Sequence, residues 1–506
     1  MGHHRLPDRR YLPRTDLNRE SLERHFVTTH RPELHFTPES GVLEAPAGVL
    51  LDGNTWHLFF QYRHELSAPA RWGHNYSEEF PFDWLECDDA LAPVGGELSL
   101  RAGSVAAGED AINLYFTSVT STGTSVRLAR YTDFNDVCEI SDDSNALDPN
   151  VVRYGEVAAN VTNYSRFRSP SVVPDWVAAD RDEGHEGWLM LALTGHSDAP
   201  LPVILRSADG LTWDVEGPLE FNGDPGFNEG EVPANSPIPP VVSPRLVRLR
   251  DEVDERIYDV LLVTLERDNR DVSGYLVGRL EGTTFTVASG FQRIDFGHDF
   301  SRPRNTNATE GTVPQETRYD EAVVLGLLNG NGRGDDPAAH PSFEEEGWAN
   351  TLALPRRITL QGGKLFQTPP RGLPDAIRQS ERARSWVGVM DVPEGSSVTV
   401  TLLDGNGKPA AVITHAGSTL TLDRSMGTAF DSYFKDSAPA VAHLAEGDSD
   451  SLTVVVDGAT VEVYADGGQV AMGSRVYFDG GCSDLQVETA GEAVIEQSWQ
   501  RKGSQL

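Results

Sequence analysis

The runs Thr55-Trp56-His57-Leu58-Phe59-Phe60 and Ile112-Asn113-Leu114-Tyr115-Phe116 decide the fold class of this chain. Two further runs of the same kind occupy residues 188–193 and 258–263. Each is strand length, rich in β-branched or aromatic side chains, and bounded by Gly, Pro, Asn or Asp. Residues 31–367 show almost no apolar repeat of period 3.6, so we predict an all-β region. About 340 residues of short strands are more than one ordinary sandwich contains. A β-propeller, which repeats four-stranded blades around an axis, accommodates this length and is therefore favoured.

A change of pattern near residue 370 predicts a second domain. The segment Thr368-Pro369-Pro370-Arg371-Gly372-Leu373-Pro374, followed by helix-compatible residues 375–385, is typical of a linker. Strands then resume with a different spacing, and Asp457-Gly458 between two apolar runs is a hairpin signal. We therefore predict a C-terminal β-sandwich. The expected order is an N-terminal arm at 1–30, a propeller at 31–370, a linker at 371–386 and a sandwich at 387–506.

The charge of the chain restricts its partners. Its 506 residues include 42 Lys and Arg against 77 Asp and Glu, a formal net charge of -35. That field repels phosphate backbones and anionic lipids, so we expect a small-molecule partner and no nucleic acid or membrane. The N-terminus lacks the apolar core of a signal peptide, and no run is long enough to span a bilayer, so we expect a cytoplasmic protein.

Common metal and cofactor motifs are missing from the sequence. Cys87, Cys138 and Cys482 are too widely spaced for a CxxC metal site or a disulfide framework. His74 and His298 have no second ligand at metal spacing, and no nucleophile elbow, zinc-protease helix or phosphate loop occurs. We predict no metal and no cofactor. Carbohydrate chemistry suits an acidic, Trp-containing all-β chain, because aromatic faces pack on sugars and paired carboxylates cleave glycosidic bonds.

Several motifs in one order carry a resemblance to a known family. They are Arg31-Pro32-Glu33-Leu34-His35-Phe36-Thr37-Pro38, His57-Leu58-Phe59-Phe60-Gln61-Tyr62, Trp72-Gly73-His74, Phe167-Arg168-Ser169-Pro170, Leu354-Pro355-Arg356-Arg357 and Val461-Glu462-Val463-Tyr464-Ala465-Asp466-Gly467-Gly468. Together they resemble glycoside hydrolase family 32, which contains invertases, levanases, inulinases and sucrose-6-phosphate hydrolases. The resemblance implies a five-bladed β-propeller joined to a β-sandwich, and retaining hydrolysis of β-fructofuranosidic bonds.

The catalytic positions implied by the resemblance depart from the family pattern. The family uses an Asp nucleophile in Asn-Asp-Pro-Asn-Gly, a stabilising Asp in Arg-Asp-Pro and a Glu acid/base in Glu-Cys-Pro. Here the nucleophile position is Ala45, in Glu44-Ala45-Pro46-Ala47-Gly48, and the stabiliser position is Ser169. Glu231, in Glu231-Val232-Pro233, matches the acid/base best, although Glu229 allows a shifted alignment.

These substitutions predict lost or strongly altered catalysis. An alanine methyl cannot attack an anomeric carbon, and Ser169 brings no negative charge to the transition state. Glu44 stands where the family has Asn, so it either supplies a relocated carboxylate or points to solvent or a nearby Arg. An inverting route would need only a base that holds a water molecule.

The resemblance also assigns substrate-binding roles, each with a structural alternative. Gln61 and Trp72 match positions that line the sugar subsite, although a strand Trp is more often core. Arg168 either holds sugar hydroxyls or neutralises Glu231. Asp299 lies in a family-like segment but could serve as a turn residue that accepts backbone N–H groups.

Two functions follow as hypotheses. The first is a protein that keeps a sugar-sized pocket, binds a fructose-containing saccharide and has lost or altered its β-fructosidase chemistry. The alternative is an active hydrolase of sucrose, sucrose phosphate or fructan, with Glu231 as acid/base and Glu44 as the second carboxylate. In both cases Ala45, Ser169 and Glu231 are expected to converge at one end of a central funnel, with Trp72 and Gln61 beside them.

Overall fold

The computed structural model of the protein describes residues 29–108, 111–132, 140–141, 143, 145–175, 187–228, 239–267, 270–330, 332–427, 437–445 and 450–504. Strands dominate these residues, as predicted. The four runs quoted above all lie in strands, because successive side chains point to opposite faces and both faces of a blade are packed. No helix within the described ranges is long and apolar enough to cross a bilayer.

Five blades of mainly antiparallel strands follow one another along the first part of the chain. Blade 1 contains β1 (Gly41–Asp52), β2 (Thr55–Arg63), β3 (Arg71–Glu78) and β4 (Leu85–Glu86). Blade 2 contains β5 (Glu97–Ala107), β6 (Ile112–Thr120), β7 (Gly123–Tyr131) and β8 (Val151–Ala158). Blade 3 contains β9 (Arg168–Pro174), β10 (Trp188–Thr194), β11 (Leu201–Ser207) and β12 (Asp214–Pro218).

The last two blades complete the propeller. Blade 4 contains β13 (Glu220–Asn222), β14 (Val241–Arg250), β15 (Ile257–Arg267), β16 (Arg270–Glu281) and β17 (Thr284–Arg293). Blade 5 contains β18 (Phe300–Ala308), β19 (Ala322–Leu328), β21 (Arg356–Gln361) and β22 (Lys364–Thr368). Between β19 and β21 the chain forms short 3-10 turns at Gly332–Gly334 and Pro337–Ala339, helix α1 (Pro341–Glu346) and the short strand β20 (Trp348–Ala349).

The blades are arranged radially around one axis. Strands β1, β5, β9, β14 and β18 are the inner strands, and each contacts the next around the ring. The inner strands of blades 1 and 5 pair in parallel, which closes the circle. A separate hydrophobic cluster fills each of the five gaps between neighbouring blades. The five-bladed propeller is therefore confirmed.

A two-sheet sandwich follows helix α2 (Leu373–Gln379). One sheet holds β23 (Arg384–Asp391), β28 (Asp450–Asp457), β29 (Thr460–Ala465), β30 (Val470–Arg475) and β32 (Val494–Lys502), with a 3-10 turn at Asp466–Gly468. The other holds β24 (Ser397–Asp404), β25 (Pro409–Ala416), β26 (Thr419–Asp423), β27 (Ala440–His443) and β31 (Cys482–Ala490). The predicted sandwich is confirmed.

The segment between the domains is shorter than the sequence suggests. Helix α2 begins two residues before the helix-compatible stretch, because Pro374 suits a first helical turn. It ends at Gln379, and the first sandwich strand begins at Arg384, inside the segment assigned as linker.

Buried charges join the sandwich to the propeller. His35 lies between Asp457 and Glu462, with ring-nitrogen to carboxylate-oxygen distances of 2.8 and 3.1 Å. Arg356 of blade 5 also pairs with Glu462, at 2.8 Å. Burial alone would lower the pKa of His35, but its hydrogen bonds to the two carboxylates raise it to about 9. Asp457 therefore belongs to a hairpin of the sandwich and also binds His35 at the start of the propeller domain.

Asp299 belongs to a second interdomain network, which corrects the prediction that it binds substrate. Its carboxylate is buried and contacts Arg424 and Arg475 of the sandwich, the latter at 3.2 Å. Burial would raise the pKa of Asp299, but the two guanidinium groups outweigh that effect and lower it. Sequence reasoning missed this role because both arginines lie more than a hundred residues away.

Candidate functional site

The inner strands share an irregularity at one level of the axis. In four of them, two residues face a single residue of the neighbouring strand, which is a β-bulge. In β1, irregularities flank the corresponding pair on both sides. We call these dipeptides the axial ring; they are Ala45-Pro46, Ala102-Gly103, Ser169-Pro170, Ser243-Pro244 and Arg302-Pro303.

Backbone conformation supports the equivalence of these positions. Proline is the second residue in four dipeptides of the axial ring, and glycine in the fifth. Ser169, Ser243 and Arg302 all have left-handed backbones, with φ of 56°, 54° and 50°. Such a conformation costs a non-glycine residue about 1–2 kcal/mol, and strain of this kind clusters at functional sites. The axial ring is therefore the candidate site.

Hydrogen bonds across blades hold the axial ring together. Arg304 donates from Nε to the carbonyl oxygen of Pro46 at 3.1 Å, and from Nη1 to Oγ of Ser243 at 2.5 Å. Arg245 donates from Nη1 to the carbonyl oxygen of Ser169 at 3.1 Å. Blades 1, 3, 4 and 5 therefore meet at one level.

Two of the predicted catalytic positions lie in this ring. Ala45 is buried on blade 1, and Ser169 is half-buried on blade 3. Glu231 and the alternative Glu229 lie outside the described residues, so their predicted convergence with the other two positions stays a prediction.

Glu44 and Gln61 bond to each other at the edge of the ring. The Glu44 carboxylate accepts hydrogen bonds from Nε of Arg63, at 2.6 Å, and from the Gln61 amide. The amide oxygen of Gln61 accepts the backbone N–H of Ala102, at 2.6 Å. Both oxygens of Glu44 are thus engaged, and Gln61 connects blades 1 and 2.

The predicted role of Trp72 as a sugar-lining residue is wrong. Its side chain is fully buried between blades 1 and 2, and its indole Nε1 donates to the carbonyl oxygen of Arg101 at 3.1 Å. The ring of Phe116 packs edge-to-face against it. A sugar needs an open aromatic face, which this packing leaves no room for. Trp72 is a core residue because its position on β3 faces the neighbouring blade.

Arg168 contacts the backbone of neighbouring segments. Its guanidinium donates to the carbonyl oxygens of Gly195, at 2.7 Å, and of Arg166 and His196, both at 3.1 Å. It thereby holds the loop after β10 against the strand that carries Ser169.

The sequence analysis did not identify two arginines that lie directly after ring dipeptides. Arg245 and Arg304 each follow the proline of a ring dipeptide and are almost fully buried. Among the described residues, neither forms an ion pair with a carboxylate, and Nε and Nη2 of Arg245 have no hydrogen-bond partner. Burial and the neighbouring Arg304 lower the pKa of Arg245, and burial and Arg302 lower that of Arg304 to about 9. The recurring Pro-Arg at the start of strands was the available signal.

Two stretches of the chain match domains of one known protein family. Residues 35–369 match the glycosyl hydrolases family 32 N-terminal domain, and residues 394–500 match the family's C-terminal domain. The chain belongs to glycoside hydrolase family 32. This family-32 protein is 24% identical to the sucrose-6-phosphate hydrolase of Bacillus subtilis (strain 168), over 92% of the chain and 93% of that protein. It is 23% identical to the raffinose invertase of Escherichia coli, over 94% and 96%.

Solved structures share the fold of the family-32 protein. The exo-inulinase from Aspergillus awamori superimposes with a TM-score of 0.71 at 19% identity, over 94% of this chain and 98% of that one. A mutant of the Bombyx mori GH32 β-fructofuranosidase, in complex with sucrose, superimposes with a TM-score of 0.70 at 17% identity, over 94% and 95%.

Across the described residues, no group of three or more His, Cys, Asp or Glu side chains is placed to hold a metal ion.

Proposed function

We propose that this protein binds a fructose-containing saccharide at the axial ring and does not hydrolyse it by the retaining route of its family. Family membership and the sucrose bound to a structural neighbour support a saccharide ligand. The observation that carries the proposed loss of hydrolysis is the identity of Ala45, Ser169 and Val242, the residues that we assign to the three catalytic positions, because none of them has a carboxylate.

The third position follows from the equivalence of the blades. In the family motifs, the residue before proline is Asp in blades 1 and 3, where this chain has Ala45 and Ser169. The motif Glu-Cys-Pro likewise ends in proline, and the ring dipeptide of blade 4 is Ser243-Pro244. Its glutamate position is then Val242, a buried residue, rather than Glu231.

The chemical consequence is severe. A retaining glycosidase needs a nucleophilic carboxylate and a carboxylic acid about 5 Å apart. An alanine methyl forms no glycosyl-enzyme, and a valine donates no proton to the leaving group. Removing one essential catalytic group can cost about as much as removing a whole set, on the order of 10⁶ in rate.

The alternative of an active hydrolase rests on Glu44. Its two carboxylate oxygens bond to Arg63 and Gln61, so an attack on a sugar would first have to break these contacts. The geometry therefore favours a structural role for Glu44, and Glu231 lies outside the described residues.

The test combines activity and binding. Purified protein is incubated with sucrose, raffinose, inulin and a nitrophenyl fructoside, and released fructose is measured beside the variants Glu44→Gln and Glu231→Gln. We expect no release above these controls, and calorimetry should detect binding of fructose or sucrose. Hydrolysis that either variant abolishes would refute the proposed loss of catalysis. Absence of saccharide binding would refute the binding role.

A further inference from the structure

Two buried arginines directly after ring dipeptides carry positive charge that no carboxylate among the described residues compensates. Arg245 is 1% exposed and Arg304 is 4% exposed. Arginine stays protonated in proteins, and a buried ion without a partner is strongly unfavourable. Nε and Nη2 of Arg245 are two adjacent donors without an acceptor among the described residues. Such a pair has the geometry that binds a carboxylate or a phosphate in bidentate fashion.

The neighbouring positions are neutral where the family motifs are anionic. Ala45, Ser169 and Val242 stand at positions that the family fills with two aspartates and a glutamate. Relative to those motifs, each of the three positions lacks a negative charge. Ser169, whose carbonyl oxygen lies 3.1 Å from Nη1 of Arg245, is half-buried, so solvent reaches the ring here.

We propose that Arg245 and Arg304 form an anion-binding site at the propeller axis, which takes the carboxylate or phosphate group of a small acidic saccharide. The inference rests on the proposed function and specifies its ligand. The ligand's own anion then occupies the place of the missing catalytic carboxylates. The acidic surface does not prevent this, because exposed charges are screened within about 8 Å at physiological ionic strength, whereas a buried pair is screened much less.

The experiment compares anionic and neutral probes at constant ionic strength. Thermal unfolding and calorimetry are run with gluconate, fructose 6-phosphate, inorganic phosphate and fructose, with sodium chloride as the salt control. We expect an anionic sugar to raise the unfolding midpoint above the salt control and to bind at least tenfold more tightly than fructose. Gluconate and fructose 6-phosphate distinguish a carboxylate from a phosphate ligand.

A matched pair of variants on one strand tests the residue. Arg245 and Arg248 are both buried on β14, but Arg248 pairs with Asp259 at 2.8 Å. Arg245→Met should reduce anion affinity at least tenfold without lowering the midpoint in anion-free buffer. Arg248→Met should lower the midpoint and keep the anion response. Arg245→Lys, which retains one charge without the planar pair of donors, should give an intermediate affinity.

Three results would overturn the site. The first is a shift of the unfolding midpoint by the anionic sugars no larger than that by chloride. The second is a shift that persists in Arg245→Met. The third is a loss of stability in Arg245→Met equal to that in Arg248→Met, which would reveal a carboxylate partner of Arg245 within the chain. Tight binding of fructose without any preference for anions would leave the proposed function standing and remove this inference. Binding of inorganic phosphate alone, dependent on Arg245, would support the anion site and count against a saccharide ligand.

Discussion

Replacing Ser169 by aspartate should stabilise the protein, although aspartate adds a charge inside the axial ring. Nη1 of Arg245 lies 3.1 Å from the carbonyl oxygen of Ser169, and Nε and Nη2 of this arginine have no acceptor among the described residues. A carboxylate at position 169 would therefore lie close to the guanidinium of Arg245. This guanidinium is already buried in the wild-type chain, so the substitution adds no desolvation cost for it.

The magnitude follows from three terms. Two unit charges about 4 Å apart attract by about 4 kcal/mol at an effective dielectric constant of about 20. The desolvation of the new carboxylate offsets part of this gain. A hydrogen bond to a charged group contributes about 1.5–3 kcal/mol net. We expect a net stabilisation of about 2 kcal/mol, a factor of about 30 in the unfolding equilibrium.

The comparison variant is Ser169→Asn. Asparagine has the same shape as aspartate and tolerates the left-handed backbone at this position about equally well, so the difference between the two variants isolates the charge. Urea unfolding followed by tryptophan fluorescence at pH 7 gives the two free energies. Aspartate no more stable than asparagine would refute the reasoning. The aspartate variant should also lose the response to gluconate, because its own carboxylate fills the anion site.

The other predictions concern activity, pH and the domain interface. Restoring all three carboxylates, as Ala45→Asp, Ser169→Asp and Val242→Glu, should produce measurable fructose release from sucrose, and each double variant should release less. His35 binds a proton more tightly in the folded state, because its pKa there is about 9, so the stabilisation it provides is complete below pH 6.5 and is lost as pH rises through about 9. The free energy of unfolding should therefore fall by about 2 kcal/mol between pH 7 and pH 9. A His35→Gln variant should not show this fall. Glu462→Gln should cost about 3–5 kcal/mol, because it leaves buried cations unpaired, whereas the same change at an exposed glutamate of the sandwich should cost little in urea unfolding.

The sequence by itself determined the secondary structure and much of the architecture. Short apolar runs such as residues 112–116, rich in β-branched and aromatic residues, specify strands, because successive side chains of a strand point to two faces and each blade packs on its neighbours. The Asp457-Gly458 turn and the break near residue 370 likewise depend on local backbone chemistry. The family resemblance together with the identities of Ala45 and Ser169 also gave the hypothesis that the nucleophile and stabiliser are missing, since no fold gives a methyl or a hydroxyl a carboxylate's charge.

Only the tertiary structure decided which distant residues meet. The proposal that Val242 occupies the acid/base position rests on the bulge register of β14, which a single motif match at Glu231 does not contain. Trp72 is core and Asp299 pairs with the sandwich because each side chain's role depends on segments remote in sequence. That two donors of Arg245 lack an acceptor among the described residues is visible only in the folded structure, because a hydrogen bond is fixed by distance and angle in space rather than by spacing along the chain.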